Sequence, residues 1–179
     1  MPGISETYDH FKSGYVAIVG APNAGKSTLL NRLLGEKISI TSKKRQTTRN
    51  RILGIMHRPG AQIVFIDTPG IFKAKDTLNL RIVDTALAAI DEADLILFVL
   101  DAAHPDPTSE YFLAKRLQKQ ERPVIVALNK IDQVKKTVLL AAIQKWSTEY
   151  YFEVIIPISA SEGTQIEQLT AAMQNILPS

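Results

Sequence analysis

From residue 15 to the end of the chain, short apolar runs alternate with segments whose apolar residues recur at helical spacing. Residues 1–13 show neither period and are expected to form a flexible arm, leaving 14–179 as one domain. Tyr-Val-Ala-Ile-Val at 15–19 reads as a buried strand that a glycine-rich turn stops. Leu29, Leu30, Leu33 and Leu34 then lie on one helix face, which Gly35 ends. Residues 51–57 and 62–66 read as strands joined by Arg58-Pro-Gly-Ala61, a tight turn that predicts an antiparallel hairpin. A helix is expected over 80–90. The unbroken apolar run at 95–100 predicts a strand covered on both faces. Next come a helix over 108–120 with Thr108 or Ser109 near its start, a strand at 124–128, a helix over 138–151 and a strand at 154–158. In the last helix Ile166, Leu169, Met173, Ile176 and Leu177 form one apolar face. This order predicts an α/β, three-layer fold: a six-stranded, mostly parallel sheet with one antiparallel hairpin strand and five helices. In such sheets ligands sit beyond the carboxyl ends of the strands, so the chemistry is sought in those loops.

Composition narrows the classes. With 179 residues and 45% hydrophobic content the chain can bury a core without metal or disulfide staples. It has no cysteine, which excludes disulfides, thiolate metal sites and a cysteine nucleophile. No run approaches the ~20 apolar residues of a membrane span, and the first residues lack a signal-like apolar stretch. A cytoplasmic protein is therefore expected, with peripheral association at the inner face of the cell membrane left open. The net charge of +3 is too small to imply nucleic-acid binding. Its distribution is more suggestive: Lys37, Lys43, Lys44, Arg45, Arg49 and Arg51 crowd one stretch, either a solvated loop or a phosphate- or RNA-facing surface.

Three loops carry recognisable chemistry. Gly20-Ala21-Pro22-Asn23-Ala24-Gly25-Lys26-Ser27-Thr28 follows the first strand and opens the first helix. Its glycines let backbone N–H groups turn toward an anion at a helix N-terminus. Lys26 can reach β- and γ-phosphates, and Ser27 can offer a hydroxyl to Mg2+. Asp67-Thr68-Pro69-Gly70 follows the hairpin, where the carboxylate can hold the same Mg2+ and the Gly70 N–H can meet a γ-phosphate. Without the first loop that tetrad would read as a simple turn. Asn129-Lys130-Ile131-Asp132 follows the strand at 124–128, and the Asp132 carboxylate suits the N1–H and exocyclic amine of guanine. Adenine offers neither donor pattern. Ser159-Ala160, after the last strand, can place a backbone N–H against guanine O6.

In this order the loops resemble the nucleotide motifs of the translation-factor-like GTPases, over essentially the whole chain from Gly14 to Pro178. The Gly-x-Pro-Asn-x-Gly-Lys-Ser form is similar to the TrmE–Era branch. The runs at 29–42, 46–49, 51–54 and 67–73 look like its Era family, GTPases of small-ribosomal-subunit assembly that act through 16S rRNA. The resemblance implies a P-loop GTPase, Ras-like fold and slow hydrolysis of GTP to GDP and phosphate. It implies that Thr48 closes over Mg2+ and the γ-phosphate, with Thr47 its neighbour in an unresolved register. The segments 38–51 and 68–79 would reorder between the two nucleotide states. It also implies a KH domain that grips single-stranded rRNA; no KH pattern occurs here, so the chain is expected to be a G domain alone.

Many Ras-type enzymes place a water-orienting glutamine where this chain has Ile71. The resemblance implies that Asn23 helps bind K+ beside the phosphates; the alternative is that it only tightens its own loop. Arg45, three residues before Thr48, has the spacing of an internal arginine finger, but a solvated switch-loop arginine accounts for it as well. The catalytic set is thus Lys26, Thr48, Gly70 and Asn23, with Ser27, Thr48 and Asp67 on Mg2+. Two other classes remain: a nucleotide-gated binding module with negligible hydrolysis, and a P-loop phosphotransferase. The second would lack the Asn-Lys-x-Asp loop and need an arginine-rich lid. His10, His57 and His104 lie far apart and near no carboxylate cluster. Trp146, with Tyr150 and Tyr151, reads as helix packing.

Overall fold

The computed structural model describes residues 10–35, 52–68 and 90–179. Among them six strands form one sheet in the order β2-β3-β1-β4-β5-β6. The strands are β1 (Lys12–Gly20), β2 (Ile52–Arg58), β3 (Ala61–Asp67), β4 (Leu95–Asp101), β5 (Val124–Asn129) and β6 (Val154–Pro157). Only β2 runs antiparallel, against β3, as the Pro-Gly turn predicts. The described α-helices are α1 (Lys26–Leu34), α2 (Pro107–Gln118), α3 (Lys136–Glu149) and α4 (Ile166–Ile176). The helix expected over 80–90 lies outside the described residues except for Ile90.

Alternate strand residues feed two cores. Leu95, Leu97 and Val99 face Leu29 and Leu33 of α1 and Leu169 and Met173 of α4. Ile96, Phe98 and Leu100 face Leu113 and Leu117 of α2 and Trp146 of α3. That two-sided burial is why β4 reads as continuously apolar. Trp146 is buried, and its ring meets Phe98 edge-on at 6.3 Å and lies 5.5 Å from Tyr150, so both pack as expected. Tyr151 instead is 75% exposed.

Several boundaries shift. β1 begins at Lys12 because residues 12–14 pair with 61–63 of β3, so Lys12 and Ser13 belong to the sheet and not to an arm. The start of α2 is set by Asp106, whose carboxylate accepts from the Ser109 N–H at 3.2 Å, with Pro107 in the first turn. A 3-10 turn over Ile131–Gln133, too short to show a period, follows β5.

The register brings the functional loops together. Ile18 lies beside Asp67, Gly20 beside Val99, Asp101 beside Asn129 and Leu128 beside Pro157. The carboxyl ends of β1, β3, β4, β5 and β6 therefore line one edge. The chain leaves β3 on one side of β1 and returns as β4 on the other, making the end of β1 the point where strand order reverses.

Candidate nucleotide-binding site

The loop between β1 and α1 sits at that reversal. Asn23 (φ 66°) and Gly25 (φ 99°) are both left-handed, which turns the chain sharply from strand to helix. No side chain caps the start of α1, and Ser27 and Thr28 are exposed there. The Lys26 ammonium donates to the carbonyls of Gly20 (2.8 Å) and Ala21 (2.9 Å). Burial lowers its pKa to about 8, and the Asp67 carboxylate opposes that shift. An incoming phosphate would replace those carbonyls as the partner of Lys26.

Two residues of the Asn-Lys-x-Asp loop serve the phosphate loop. Asn129 is buried; its Nδ2 donates to the Ala24 carbonyl and its Oδ1 accepts from the Ala160 N–H, both at 3.0 Å. The Lys130 ammonium donates to the Asn23 carbonyl and to Asp101 Oδ2, both at 2.7 Å. Asp132 is exposed, with Oδ1 accepting from Ser159 Oγ at 2.8 Å. Its carboxylate is thereby oriented while still open to a base edge. Ser159 is fully buried and also accepts from the Glu162 N–H at 3.2 Å, so it braces Asp132.

Thr68 is among the expected ligand contacts. It is buried, and its hydroxyl donates to the Ile18 carbonyl at 2.6 Å, pinning the chain just after β3 to β1. Of the Ser159-Ala160 pair expected to offer a backbone N–H to guanine O6, the Ala160 N–H donates to Asn129. Thr48, Pro69 and Gly70, with Thr47, Arg45 and Ile71, lie outside the described residues.

Two further residues organise the site. Asp101, at the end of β4, accepts from the Ala103 and His104 N–H groups at 2.8 Å each and pairs with Lys130. A carboxylate closing an apolar strand on the ligand edge is a signal the sequence does contain. Arg32, in α1, donates from Nε to the Ala160 carbonyl (3.0 Å) and from Nη2 to the Ser161 carbonyl (2.5 Å). It lies in the run at 29–42, where nothing in the residue pattern points to this contact. Together the arrangement offers backbone N–H groups and Lys26 to phosphates at one end and a braced carboxylate to a base at the other.

Comparison with known proteins agrees with this geometry. Residues 15–130 match the family described as 50S ribosome-binding GTPase. The GTPase Era of Geobacter sp. (strain M21) is 53% identical over 169 residues, covering 94% of this chain and 57% of that protein. The chain thus spans somewhat over half the length of the curated relatives it matches. Among solved structures, Era in complex with MgGDPNP and nucleotides 1506–1542 of 16S ribosomal RNA is 44% identical, with a TM-score of 0.78, covering 95% of this chain and 58% of that one. A single-substitution variant of Aquifex aeolicus Era bound to GDP.AlF4- is also 44% identical, with a TM-score of 0.76 over 94% of this chain and 58% of that one.

Proposed function

The chain belongs to the 50S ribosome-binding GTPase family, and from that premise we propose that it is an Era-type switch that binds GTP and hydrolyses it slowly to GDP and phosphate. The observation that carries this reading is the lacing of the loops. Asn129 and Lys130 hold the phosphate loop beside the braced Asp132, so that one nucleotide spans both.

In this reading the N–H groups of Gly20–Thr28 and the Lys26 ammonium take the β- and γ-phosphates. Asp132 accepts from the guanine N1–H and 2-amine. The Ser27 hydroxyl in the first turn of α1 and the Asp67 carboxylate at the end of β3, both hard oxygen donors, suit Mg2+, with Thr48 joining them in the GTP state. Bound Mg2+ supplies charge neutralisation at the phosphates. Water attacks the γ-phosphorus in line, and Lys26 with the Gly70 N–H stabilises the charge that develops on the phosphate oxygens. With Ile71 in place of an orienting glutamine, turnover is slow, on the order of 10^-4 to 10^-2 per second.

Asn23 is assigned to K+. Its side chain is exposed and makes no hydrogen bond to its own loop among the described residues, which favours ion ligation over loop tightening. The output is reordering of residues 38–51 and 68–79. The client is 16S rRNA in the small ribosomal subunit, with the RNA grip assigned mainly to a KH domain. No described helix is long and apolar enough to cross a membrane; the setting assigned is the cytoplasm, with any membrane contact peripheral.

Nucleotide preference tests the reading. GDP should bind at least about a hundredfold more tightly than ADP. Asp132→Asn should move the preference from guanine to xanthine nucleotides. Equal binding of ADP and GDP, or unaltered GDP affinity in the variant, would overturn the guanine assignment.

A further inference from the structure

Three consecutive peptide groups shape the loop after β6. The Ser159 carbonyl accepts from the N–H groups of Gly163 (2.8 Å) and Thr164 (3.0 Å), while the Ala160 N–H goes to Asn129. The Ser161 carbonyl takes Arg32 Nη2, and the Glu162 N–H goes to Ser159 Oγ. Between them lies the Ala160–Ser161 peptide. Its carbonyl takes Arg32 Nε, and the Ser161 N–H is the one donor of the three without a partner among the described residues. No described peptide is cis, so the Ser161 N–H points opposite to the carbonyl that Arg32 holds. The guanidinium fork grips two successive carbonyls at once, which a point charge cannot do. Gly163 (φ 79°) also lies near it, where a Cβ would come within 3.5 Å of Nη1.

We propose that Arg32 is a positioning residue for guanine recognition, fixing the Ala160–Ser161 peptide so that the Ser161 N–H donates to the oxygen on guanine C6. This rests on the guanine-nucleotide reading above and on the O6 contact expected of the loop after β6, and it adds the residue that aims that donor. Because Arg32 lies on α1, whose N-terminal end carries the phosphate loop, one rigid helix sets the distance between the phosphate and base contacts.

The test compares GDP with 6-thio-GDP, which keeps the N1–H and 2-amine but replaces the C6 oxygen by a poor acceptor, and with IDP, which lacks the 2-amine. Binding is measured at pH 7 by calorimetry. The parent chain should prefer GDP over 6-thio-GDP by about tenfold, one hydrogen bond's worth. Arg32→Ala should compress that ratio to about twofold, and Arg32→Lys to an intermediate value, while the GDP-to-IDP ratio set by Asp132 stays unchanged. Should Arg32→Ala not fold, the Arg32→Lys and Arg32→Gln ratios decide. An undiminished 6-thio ratio in the variants, a parallel fall of both ratios, or no discrimination by the parent would overturn the proposal. A parent that binds ADP as well as GDP would instead sink the guanine reading.

Discussion

Replacing Gly25 by alanine probes how tightly the phosphate loop and the guanine loop are built into one another. Gly25 has φ 99° and ψ 22°, and holding an L-residue in left-handed backbone costs about 1–2 kcal/mol. A Cβ there would overlap Asn129 Nδ2, which has nowhere to retreat because Asn129 is only 2% exposed. Moving it breaks both Asn129 hydrogen bonds, at about 1 kcal/mol each. The sum is a loss of about 3–4 kcal/mol. Asn129→Ala alone breaks the same two bonds and should cost about 2 kcal/mol. Once Asn129 is gone, the alanine at 25 retains only its backbone strain. The double variant should therefore lose about 3–4 kcal/mol, roughly 2 kcal/mol less than the sum of the single changes. Urea unfolding of the four proteins without nucleotide, with unchanged m-values, measures this. Additivity within about 0.5 kcal/mol would refute the argument, since the clash and the lost bonds would then not share one side chain.

Two other predictions concern catalysis and stability. Single-turnover GTP hydrolysis in matched K+ and Na+ buffers should be faster in K+, and the difference should vanish in Asn23→Ala; equal rates in the parent would remove K+ from the mechanism. Glu110, buried in the first turn of α2, has its pKa raised chiefly by that burial, against the hydrogen bond from the Asp106 N–H. The folded state then binds more protons than the unfolded one between the ordinary and the raised pKa, so this group lowers stability as pH rises through that window. Glu110→Gln keeps an acceptor for the Asp106 N–H and removes the charge. Its gain in melting temperature over the parent should grow from pH 4 to pH 7, and parallel curves would show that Glu110 is not responsible.

The sequence alone determined the alternation of the described elements, the hairpin, and the loops proposed to hold the nucleotide. Each is written locally: a six-residue apolar run needs cover on both faces, Pro59-Gly60 needs a tight turn, and Gly20 to Ser27 needs a strand before it and a helix after it. Residue type also marked Lys26, Asp67 and Asp132, because the proposed phosphate, magnesium and guanine partners each demand a particular charge. What several side chains do was decided only by tertiary structure. Thr68 turns to β1, Ser159 braces Asp132, and Asn129 and Lys130 hold the phosphate loop. Asp101 anchors Lys130 from another strand. Arg32 meets Ala160 across 128 residues of chain. Hydrophobic period tells which face is buried; it does not tell which strand ends lie side by side. The partner of a polar side chain at a loop depends on that adjacency, and here the order β3-β1-β4-β5-β6 supplies it.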